Sequence, residues 1–468
     1  MIAIIGAGPT GLGAAHRLHE LGVTDYVVIE RSDAAGGLAS SYVDDHGFTW
    51  DVGGHVQFSH YRYYDEVLDR LVTCGWLEHE RHASVWIRER WVPYPFQYNV
   101  HCLPPLDRDR ALADIEALAG QTGLRRPANF RQWIDQSFGQ MIAELFMIPY
   151  NFKVWGYPLE TMDTEWMGER VATVDVARLR RNIAEGRDDV AWGPNNRFRF
   201  PLRGGTGAIW THVAASLPAD NMRWGCEITS LDAAGRVLRT QTGETITYDH
   251  LISTMPLDSL CALADGLPGD TRAAARSLVH SSVHVLGVGL RGDQPESLLH
   301  RCWMYFPESS SPYYRVTVFS NYSPHNVPDG DGYWSLMAEV CESPHRPVDR
   351  AALQRWTLDA MRRDGLIGEG SEVVSFWHFR REHGYPTPFL GRDQVLQRIR
   401  PHLEDRNICS RGRFGAWKYE VSNQDHSFMQ GVEAIDRLLR LGEEPTLDRP
   451  NHVNSGAFNA FPSQRAAR

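Results

Sequence analysis

The first eleven residues constrain the fold of this chain more than any other segment. Residues 2–5 form a short apolar run, the turn Gly6-Ala-Gly8-Pro-Thr-Gly11 follows, and residues 10–21 have helix-forming composition. In such a strand–turn–helix unit, glycines let the backbone approach a pyrophosphate whose charge faces the positive end of the helix. The pattern therefore predicts an α/β fold with a Rossmann-like domain that binds a dinucleotide.

Glu30 supports this prediction because it ends the next apolar segment, residues 26–30. At that position a carboxylate can accept hydrogen bonds from both hydroxyls of a nucleotide ribose. A glycine turn that binds nothing is the alternative, and it is disfavoured because strand, helix and acid are all in place. The predicted cofactor contacts at this end are Gly6, Gly8, Thr10, Gly11, Glu30 and Arg31.

Two later segments favour FAD over NAD as the dinucleotide. A turn containing Gly37 and Leu38 follows the acid closely, and short alternating segments between 222 and 256 predict a small β-meander that returns to the parallel sheet. Both features resemble the large FAD-dependent oxidoreductase superfamily. We therefore expect Gly37 and Leu38 to contact FAD.

The remaining patterns predict a discontinuous domain organisation. Helical periodicity over 105–199 predicts a helical insertion, and strand-like runs over 266–395 predict a second, antiparallel-sheet substrate domain. The FAD-binding domain then consists of residues 1–104, 200–265 and 396–445. Residues 446–468 have the composition of a loosely held tail.

Charge and cysteine usage bear on partners and location. The 58 acidic and 48 basic side chains leave a formal charge of −10, without a basic run that would mark a nucleic-acid surface. The seven cysteines are scattered, which favours free thiols in a reducing compartment. Neither a secretory signal pattern nor an apolar run of membrane-spanning length is present. We therefore expect a cytoplasmic protein without nucleic-acid or membrane partners.

Several long segments beyond the nucleotide fingerprint resemble one family. They lie in family order along nearly the whole chain: GGHVQFSHY (53–61), WVPYPFQYN (91–99), PYNFKVW (149–155), WGPNNRFRFPLRGGTG (192–207), HGYPTP (383–388) and SRGRFGAWKYEVSNQDHSFMQGVEA (410–434). On these segments the chain closely resembles the eukaryotic-type UDP-galactopyranose mutases. It departs from the fungal members at Gln57, where an aliphatic residue is usual, and at Ala83, where a serine is usual.

The resemblance implies an isomerase that interconverts UDP-galactopyranose and UDP-galactofuranose. In this family reduced FAD acts through an adduct between flavin N5 and the sugar, and NADPH is the implied reductant. The same chemistry on a related UDP-sugar, such as UDP-arabinopyranose, stays open because a sequence does not resolve one substituent. An amine-oxidase-like FAD oxidoreductase and a UDP-sugar-binding protein with structural FAD are the other hypotheses. A homo-oligomer stays open as well.

The family's substrate site implies roles for cationic, phenolic and amide side chains. Developing charge on the leaving diphosphate needs such donors around it. The implied diphosphate ligands are Arg170, Arg315, Tyr305, Tyr385 and Tyr419. The implied contacts to uridine are the side chains of Tyr94 and Gln97 and the backbone of Phe96. Those to the ribose are Asn151 and Trp155, and those to the sugar are Asn195 and Trp303.

The flavin end of the site is predicted from three further segments. His55, in the loop Gly53-Gly54-His55, is expected to contact the flavin or the sugar as a neutral imidazole, and we assign it to catalysis with Arg170 and Arg315. The residues Arg413, Asn423 and Gln424 precede a helical segment whose N-terminus would polarise the flavin carbonyls. No metal site is predicted, because His280, His284, His378 and His383 lack carboxylates at ligand spacing.

Overall fold

The computed structural model describes residues 1–121, 125–168, 171–190 and 192–455. Arg170, one of the predicted catalytic residues, lies outside the described residues. In the described part, the strands are Ile2–Ile5 (β1), Tyr26–Ile29 (β2), Ser41–Val43 (β3), Thr49–Asp51 (β4), Trp76–Glu80 (β5), Ala83–Ile87 (β6), Arg90–Pro93 (β7), Arg197–Pro201 (β8), Met222–Arg223 (β9), Ile228–Asp232 (β10), Val237–Thr240 (β11), Thr245–Thr247 (β12), His250–Ser253 (β13), Ala264–Asp265 (β14), His280–Gly292 (β15), Trp303–Tyr305 (β16), Arg315–Val318 (β17), Tyr333–Glu342 (β18), Ser371–Pro386 (β19) and Ile408–Ser410 (β20).

The α-helices of the same ranges are Pro9–Glu20 (α1), Arg62–Leu71 (α2), Pro105–Ala119 (α3), Phe130–Ile142 (α4), Ile148–Trp155 (α5), Val176–Glu185 (α6), Gly207–Ala215 (α7), Leu257–Leu263 (α8), Gly269–Arg276 (α9), Leu353–Arg363 (α10), Arg392–Glu404 (α11), Gln424–Leu438 (α12), Pro445–Asp448 (α13) and Pro450–Asn454 (α14). A π-helical turn, Ala143–Met147, joins α4 to α5.

A five-stranded sheet in the order β20-β13-β1-β2-β9 forms the centre of the nucleotide-binding half. Its strands are parallel, with Ile4 of β1 opposite Val28 on one side and Ile252 on the other. Strands β1 and β2 are buried along their whole length, because helices α1, α7 and α12 cover one face and α8, α9 and α11 the other. This confirms the Rossmann-like α/β fold.

The predicted β-meander is present between β9 and β13. Strands β10, β11 and β12 pair antiparallel in sequence, and the chain then enters the parallel sheet at β13 beside β1. The meander thus delivers the chain to the centre of the nucleotide-binding sheet, as the sequence pattern predicts.

The second sheet has seven strands in the order β19-β15-β18-β17-β16-β6-β7. Its three long strands, β15, β18 and the edge strand β19, pair antiparallel, in agreement with the expectation for the second half of the chain. One expectation needs correction: residues 83–93, assigned to the FAD-binding domain, form β6 and β7 and extend this second sheet. Strand β6 joins it by pairing parallel with β16. We therefore keep the domain division as a proposal, with residues 83–93 assigned to the second domain instead of the FAD-binding domain.

The helical insertion packs around its own apolar cluster. Helices α3, α4 and α5 bury Ile115, Ile134 and Phe146 among other apolar side chains, and the cluster extends to β6, β7 and the turn around Phe96. The insertion is thus attached to the strands that close the second sheet, and α5 faces the cleft between the two sheets.

The expected loose tail is wrong for residues 446–455. Thr446, Leu447 and Val453 are buried, and the Thr446 hydroxyl lies 2.6 Å from the Tyr61 hydroxyl while also donating to Glu433 at 2.7 Å. The prolines of this segment begin α13 and α14 instead of breaking the structure. Residues 456–468 lie outside the described part. Within the described residues, no helix combines the length and apolar character needed to cross a bilayer.

Candidate functional site

A cavity of about 990 Å³ lies where the parallel sheet, the seven-stranded sheet and helix α5 meet. This volume is at the upper end of the range typical of ligand sites, so it can hold a large ligand. Most predicted site residues line this one cavity: Gly6, Gly8, Thr10, Glu30, Arg31, Gly37, Leu38, Gly53, Gly54, His55, Tyr94, Gln97, Asn151, Trp155, Asn195, Tyr305, Arg315, Tyr385, Arg413, Tyr419, Asn423 and Gln424.

Of the predicted residues that the structure describes, three do not line the cavity. Phe96 is fully buried and packs on Phe146, with ring centroids 4.9 Å apart, so its side chain belongs to the core of the insertion. Trp303 is 5% exposed and acts through a neighbour, because its indole N–H donates to the Tyr305 hydroxyl at 2.6 Å. Gly11 is a packing position: a Cβ there would lie 1.8 Å from the Gly6 carbonyl oxygen.

The nucleotide end of the cavity is formed by the β1–α1 turn and the end of β2. Gly8 is the residue before helix α1, and no side chain caps the first amide groups of the helix. The Glu30 carboxylate accepts the Ala7 N–H at 2.7 Å and the Ser32 N–H at 2.9 Å, which fixes its position beside the turn. Each carboxylate oxygen keeps acceptor capacity for a further hydroxyl.

This end of the cavity fits the dinucleotide that the sequence predicts. The close approach of Gly11 to Gly6 is the backbone packing that a Rossmann turn needs, and a side chain at Gly11 would not fit. The open helix N-terminus suits a pyrophosphate, and the buried carboxylate suits a ribose. The residues present therefore fit FAD.

Helix α12, which covers the same face of the parallel sheet as α1, also points its N-terminus into the cavity. Asn423 precedes the helix without capping it, and Asn423, Gln424 and Ser427 line the cavity. The helix is anchored because the Gln424 amide oxygen accepts the Trp210 indole N–H at 2.7 Å. Its first-turn N–H groups and the positive end of its dipole therefore face the ligand space.

Arg413 joins the flavin end to the tyrosine cluster. Its guanidinium lies 4.9 Å from the Tyr385 ring centroid and 5.5 Å from that of Tyr419, and it donates to the Ser422 hydroxyl at 2.8 Å. A cation stacked on two phenol rings is held in one plane and keeps both rings in place. The geometry brings together three residues that the sequence analysis assigned to different ligands.

Strand register places the anion-binding side chains side by side. Tyr305 on β16 lies opposite Arg315 on β17, and Arg315 lies opposite Glu339 on β18. Opposed residues share a face of the sheet, so the three form a row across the cavity wall. Burial raises the pKa of Tyr305, and burial raises the pKa of Tyr385 to about 12. Both phenols are therefore protonated donors at neutral pH.

Glu339 was missed by the sequence analysis. Its carboxylate is 2% exposed and accepts hydrogen bonds from Arg315 Nε at 2.7 Å, the Tyr314 hydroxyl at 2.6 Å and the Gly54 N–H at 3.0 Å. Burial alone would raise the pKa of Glu339, but Arg315 and these donors hold it below its usual range. An acid inside the apolar run of β18 could have given a signal, since a buried carboxylate needs a partner.

His55 is neutral at physiological pH. Its pKa is lowered to about 4, mainly by burial. The positive charges of Arg413 and Arg315 also lower the pKa, whereas the negative charge of Glu339 raises it. Its Nδ1 atom is buried without a hydrogen-bond partner in the described part of the protein. An unpaired buried nitrogen on a cavity wall is available to a ligand. The expectation of a neutral His55 agrees with this environment.

The far end of the cavity combines aromatic faces with amide groups. Tyr94 lies 4.9 Å from the Tyr305 ring, and the Gln97 side chain donates to the Ala172 carbonyl oxygen at 2.7 Å. The Trp155 ring contacts that of Tyr419 at 4.8 Å. Asn151 lies one helical turn before Trp155 and donates back to the Met147 carbonyl oxygen. An aromatic wall with fixed amides can hold a base and its ribose.

Asn195 is held by an arginine that the sequence analysis did not select. Arg81 is 5% exposed, and its Nη1 donates to Asn195 Oδ1 at 2.6 Å. The same guanidinium lies 5.5 Å from the Tyr94 ring centroid. Because Asn195 Oδ1 is occupied by Arg81, its amide group keeps its N–H donors for a ligand.

The histidines of β15 and β19 do have carboxylate partners. Asp258 lies 2.9 Å from His383 Nε2, with His280 stacked on His383 at 4.1 Å between ring centroids, and Glu342 lies 3.2 Å from His284 Nε2. The stated reason for excluding a metal is therefore wrong, since these acids come from distant segments. One ligand atom each of Asp258, His280 and His383 lies within 4.8 Å of the others, a grouping that could hold a metal ion, so the prediction of no metal site stays a prediction.

The chain matches a model for flavin-containing amine oxidoreductases over residues 9–431. Among solved structures, a reduced UDP-galactopyranose mutase is 50% identical, over 97% of this chain and 98% of its own, with a TM-score of 0.94.

Two more distant structures share the fold. A putative protoporphyrinogen oxidase from Exiguobacterium sp. 255-15 is 16% identical over 93% of this chain and 98% of its own, with a TM-score of 0.71. A putrescine oxidase is 17% identical over 94% of this chain and 98% of its own, with a TM-score of 0.62. At these identities the similarity concerns the fold alone.

Proposed function

Because this chain belongs to the flavin-containing amine oxidoreductases, and among them to the UDP-galactopyranose mutases, we propose that it interconverts UDP-galactopyranose and UDP-galactofuranose. One observation supports this proposal most directly. A single cavity joins the Glu30 turn, which suits a dinucleotide, to Arg315 and its row of tyrosines, which suit a second, anionic ligand. An enzyme that brings a flavin to a nucleotide sugar needs both ends in one space.

The diphosphate is assigned to Arg315 together with Tyr305, Tyr385 and Tyr419. Leaving-group departure concentrates negative charge on the diphosphate, and a charged fork with protonated phenols stabilises that charge. Arg170 is assigned to the same role on family grounds. Arg81 binds the Asn195 Oδ1 atom and so leaves the amide N–H groups of Asn195 free to donate to the sugar hydroxyls.

Reduced FAD, when bound, would supply a nucleophilic nitrogen for the anomeric carbon. The chain's own contribution at that point is electrostatic. The open N-terminus of α12, with Asn423 and Gln424, favours negative charge nearby, and Arg413 lies beside it. His55, neutral and with an unpaired Nδ1, offers one hydrogen-bonding atom without adding charge.

The uridine is assigned to the aromatic end of the cavity. Tyr94 can stack on the base, Gln97 can read its amide edge, and Asn151 with Trp155 can border the ribose. Phe96 supports this end from the core, through its packing on Phe146. These contacts hold the nucleotide while the bond between diphosphate and sugar breaks.

The direct test uses the purified flavoprotein. The flavin is reduced with dithionite under anaerobic conditions, UDP-galactofuranose is added, and UDP-galactopyranose is measured by chromatography. Conversion is expected with reduced protein and not with oxidised protein. Absence of conversion under reducing conditions would refute the mutase assignment.

The reductant balance separates the mutase from an amine-oxidase-like oxidoreductase. An isomerisation has no net redox change, so one reduced flavin should convert many substrate molecules. An oxidoreductase would consume one equivalent of oxidant for each product. Anaerobic turnover with a single equivalent of dithionite therefore decides between the two classes.

We further propose galactose as the sugar, NADPH as the reductant, a cytoplasmic location and a homo-oligomer, and each of these can be tested separately. A panel that includes UDP-arabinopyranose tests the sugar, and stopped-flow reduction by NADPH against NADH tests the preference for NADPH. A cytoplasmic location is supported by the seven cysteines, which all lie in the described part and are unpaired there; a fluorescent fusion tests it. Light scattering after size exclusion tests a homo-oligomer.

A further inference from the structure

Glu339 connects two parts of the candidate site that lie far apart in sequence. Its Oε1 atom accepts the Gly54 N–H at 3.0 Å and Arg315 Nε at 2.7 Å, while Oε2 accepts Arg315 Nη2 at 2.9 Å. One carboxylate therefore holds both the loop that carries His55 and the arginine assigned to the diphosphate. The sheet register keeps Glu339 opposite Arg315, so this pairing is set by the backbone.

Arg315 keeps three of its five N–H donors for a ligand while it is paired. Glu339 occupies the edge formed by Nε and Nη2, and in the described part of the protein Nη1 donates to no acceptor. A guanidinium can serve two anions, one on each edge of its plane. With one edge fixed by Glu339, the other edge is presented to the cavity at a defined angle.

The Gly54 amide shares its acceptor atom with Arg315. A Cβ at Gly54 would lie 3.2 Å from Glu339 Oε1 and 3.0 Å from Thr317 Oγ1, so a side chain would crowd this contact. Any shift of the guanidinium toward a ligand changes the charge that Oε1 presents to the Gly54 N–H. The next residue, His55, lines the same cavity.

Tyr314 completes the cluster and limits how the carboxylate can respond. Its hydroxyl donates to Oε2 at 2.6 Å and lies 3.4 Å from the Tyr385 hydroxyl. The carboxylate is buried, so it cannot exchange a lost partner for bulk water. A change at Arg315 is therefore transmitted to Gly54 instead of being absorbed by solvent.

We propose that Glu339 is a positioning residue that couples diphosphate binding at Arg315 to the Gly53–His55 loop beside the flavin. The inference rests on the proposed function, since it takes the diphosphate as the ligand of Arg315. Coupling between two sites is reciprocal: if flavin reduction changes the affinity for the diphosphate, diphosphate binding shifts the flavin reduction potential by an amount equivalent to the same coupling free energy.

The test measures UDP binding, without turnover, in the oxidised and the dithionite-reduced holoenzyme. In the wild-type protein the two dissociation constants are expected to differ by about fivefold or more, the usual lower range of coupling between sites. In Glu339→Gln the two constants should agree within about twofold, and the shift of the flavin potential on adding UDP should shrink accordingly, because that shift follows the logarithm of their ratio. The isosteric amide removes the charge that links Arg315 to Gly54.

Glu342→Gln is the matched control. Glu342 lies on the same strand, but it pairs with Arg350 and Arg380 through 3.0 and 2.6 Å contacts and does not line the cavity. This variant should keep the wild-type ratio of dissociation constants. A lost ratio in Glu342→Gln as well would show that the effect is general and overturn the role of Glu339.

The remaining outcomes are also decisive. If wild-type protein binds UDP equally in both redox states, or if Glu339→Gln keeps the wild-type ratio, this inference is wrong and the proposed function stands. If wild-type protein binds no UDP, both fail. If Glu339→Gln does not retain flavin, Glu339→Asp decides, because it keeps the charge beside Arg315 while its side chain, one methylene shorter, cannot reach Arg315 and the Gly54 N–H together. A wild-type ratio in Glu339→Asp would then overturn the inference.

Discussion

The Lys153 ammonium donates a hydrogen bond to the Phe306 carbonyl oxygen, 2.7 Å away, from inside the protein. It also donates to the carbonyl oxygens of Glu308 and Ser311, both at 2.9 Å. These carbonyls belong to the connection between β16 and β17, the strands that carry Tyr305 and Arg315. A lysine in the cavity-lining helix α5 therefore shapes the segment that joins Tyr305 and Arg315, two residues for which we propose contacts to the diphosphate.

Replacing Lys153 by Met should destabilise the protein because three buried carbonyl groups lose their donor. Leaving such groups unsatisfied costs about 1–3 kcal/mol each, partly recovered by relaxation, so we expect a loss of about 3 kcal/mol. Thermal unfolding of the holoenzyme measures it. The control is Lys418→Met, whose ammonium only approaches Asp393 at 3.8 Å and should change little. Equal melting temperatures for the two variants would contradict the role given to Lys153.

Replacing Glu30 by Gln should weaken FAD binding. The carboxylate accepts the Ala7 and Ser32 N–H groups and is assigned to the ribose hydroxyls, and an amide nitrogen can accept none of them. We expect affinity to fall about tenfold, the equivalent of one charge-assisted hydrogen bond of ~1.4 kcal/mol. Reconstitution of the apoprotein, followed by flavin fluorescence, gives the dissociation constant.

Glu20→Gln provides the control for this measurement. Glu20 ends helix α1 and accepts hydrogen bonds from Arg17 and Tyr63 away from the cavity. It should bind FAD as the wild-type protein does. Unchanged affinity in Glu30→Gln would remove the ribose assignment of Glu30.

The nucleotide-binding unit was predictable because its signals are local. The strand, the turn from Gly6 to Gly11 and the acid Glu30 lie within one short βαβ segment, and the fold places them together without help from distant residues. The helix that begins near Gln424 was also predictable from its own composition. Its N-terminal direction toward the cavity followed from the family resemblance.

The elements that were misplaced depend on contacts between distant segments. Strands β6 and β7 join the second sheet only because Ala83 pairs with Trp303, and no local pattern in residues 83–93 reveals that partner. Thr446 is ordered by Tyr61 and Glu433 although its own segment is rich in polar residues. Propensity describes a segment in isolation, whereas burial is decided by what covers it.

The carboxylates of the site were missed for the same reason. Glu339 reaches Arg315 from the neighbouring strand, and Asp258 reaches His383 from the start of helix α8. Sequence spacing identifies ligands on one element, such as Asn151 and Trp155 on α5. Sequence spacing does not identify partners that are brought together by a sheet register or by an interdomain contact.

Asp51 should make stability depend on pH. Burial raises its pKa to about 7, although hydrogen bonds from the Ser41 hydroxyl and the Thr206 N–H act to lower it. An acid with a raised pKa in the folded state contributes stability that is present below its unfolded pKa and lost as pH rises through about 7. In Asp51→Asn that loss should be absent, so the variant should gain stability over wild type between pH 5 and pH 8, by roughly 4 kcal/mol at most.

Asp44→Asn is the matched control for this titration, on the same β3–β4 hairpin. Burial alone would raise the pKa of Asp44, but hydrogen bonds from Ser375, Trp50 and the Phe48 N–H lower it. Its stabilising contribution is present at neutral pH and lost as pH falls, so this variant should be less stable than wild type at pH 7. Chemical unfolding of each protein across pH measures both signs. The same pH dependence in both variants would show that neither carboxylate is responsible.

Replacing Arg315 by Lys should lower kcat/KM for the nucleotide sugar while flavin absorbance is retained. Lysine keeps the positive charge that Glu339 requires, so the buried carboxylate is not left alone, but it loses the planar fork that serves two anions at once. We expect a decrease of about 100-fold, or about 2.7 kcal/mol of transition-state stabilisation. Arg291→Lys is the control, since Arg291 pairs with Glu372 at the exposed end of the same sheet. Steady-state assays with reduced enzyme measure both variants. A value within about threefold of wild type in Arg315→Lys would show that a point charge suffices, and that the guanidinium fork is not what holds the diphosphate.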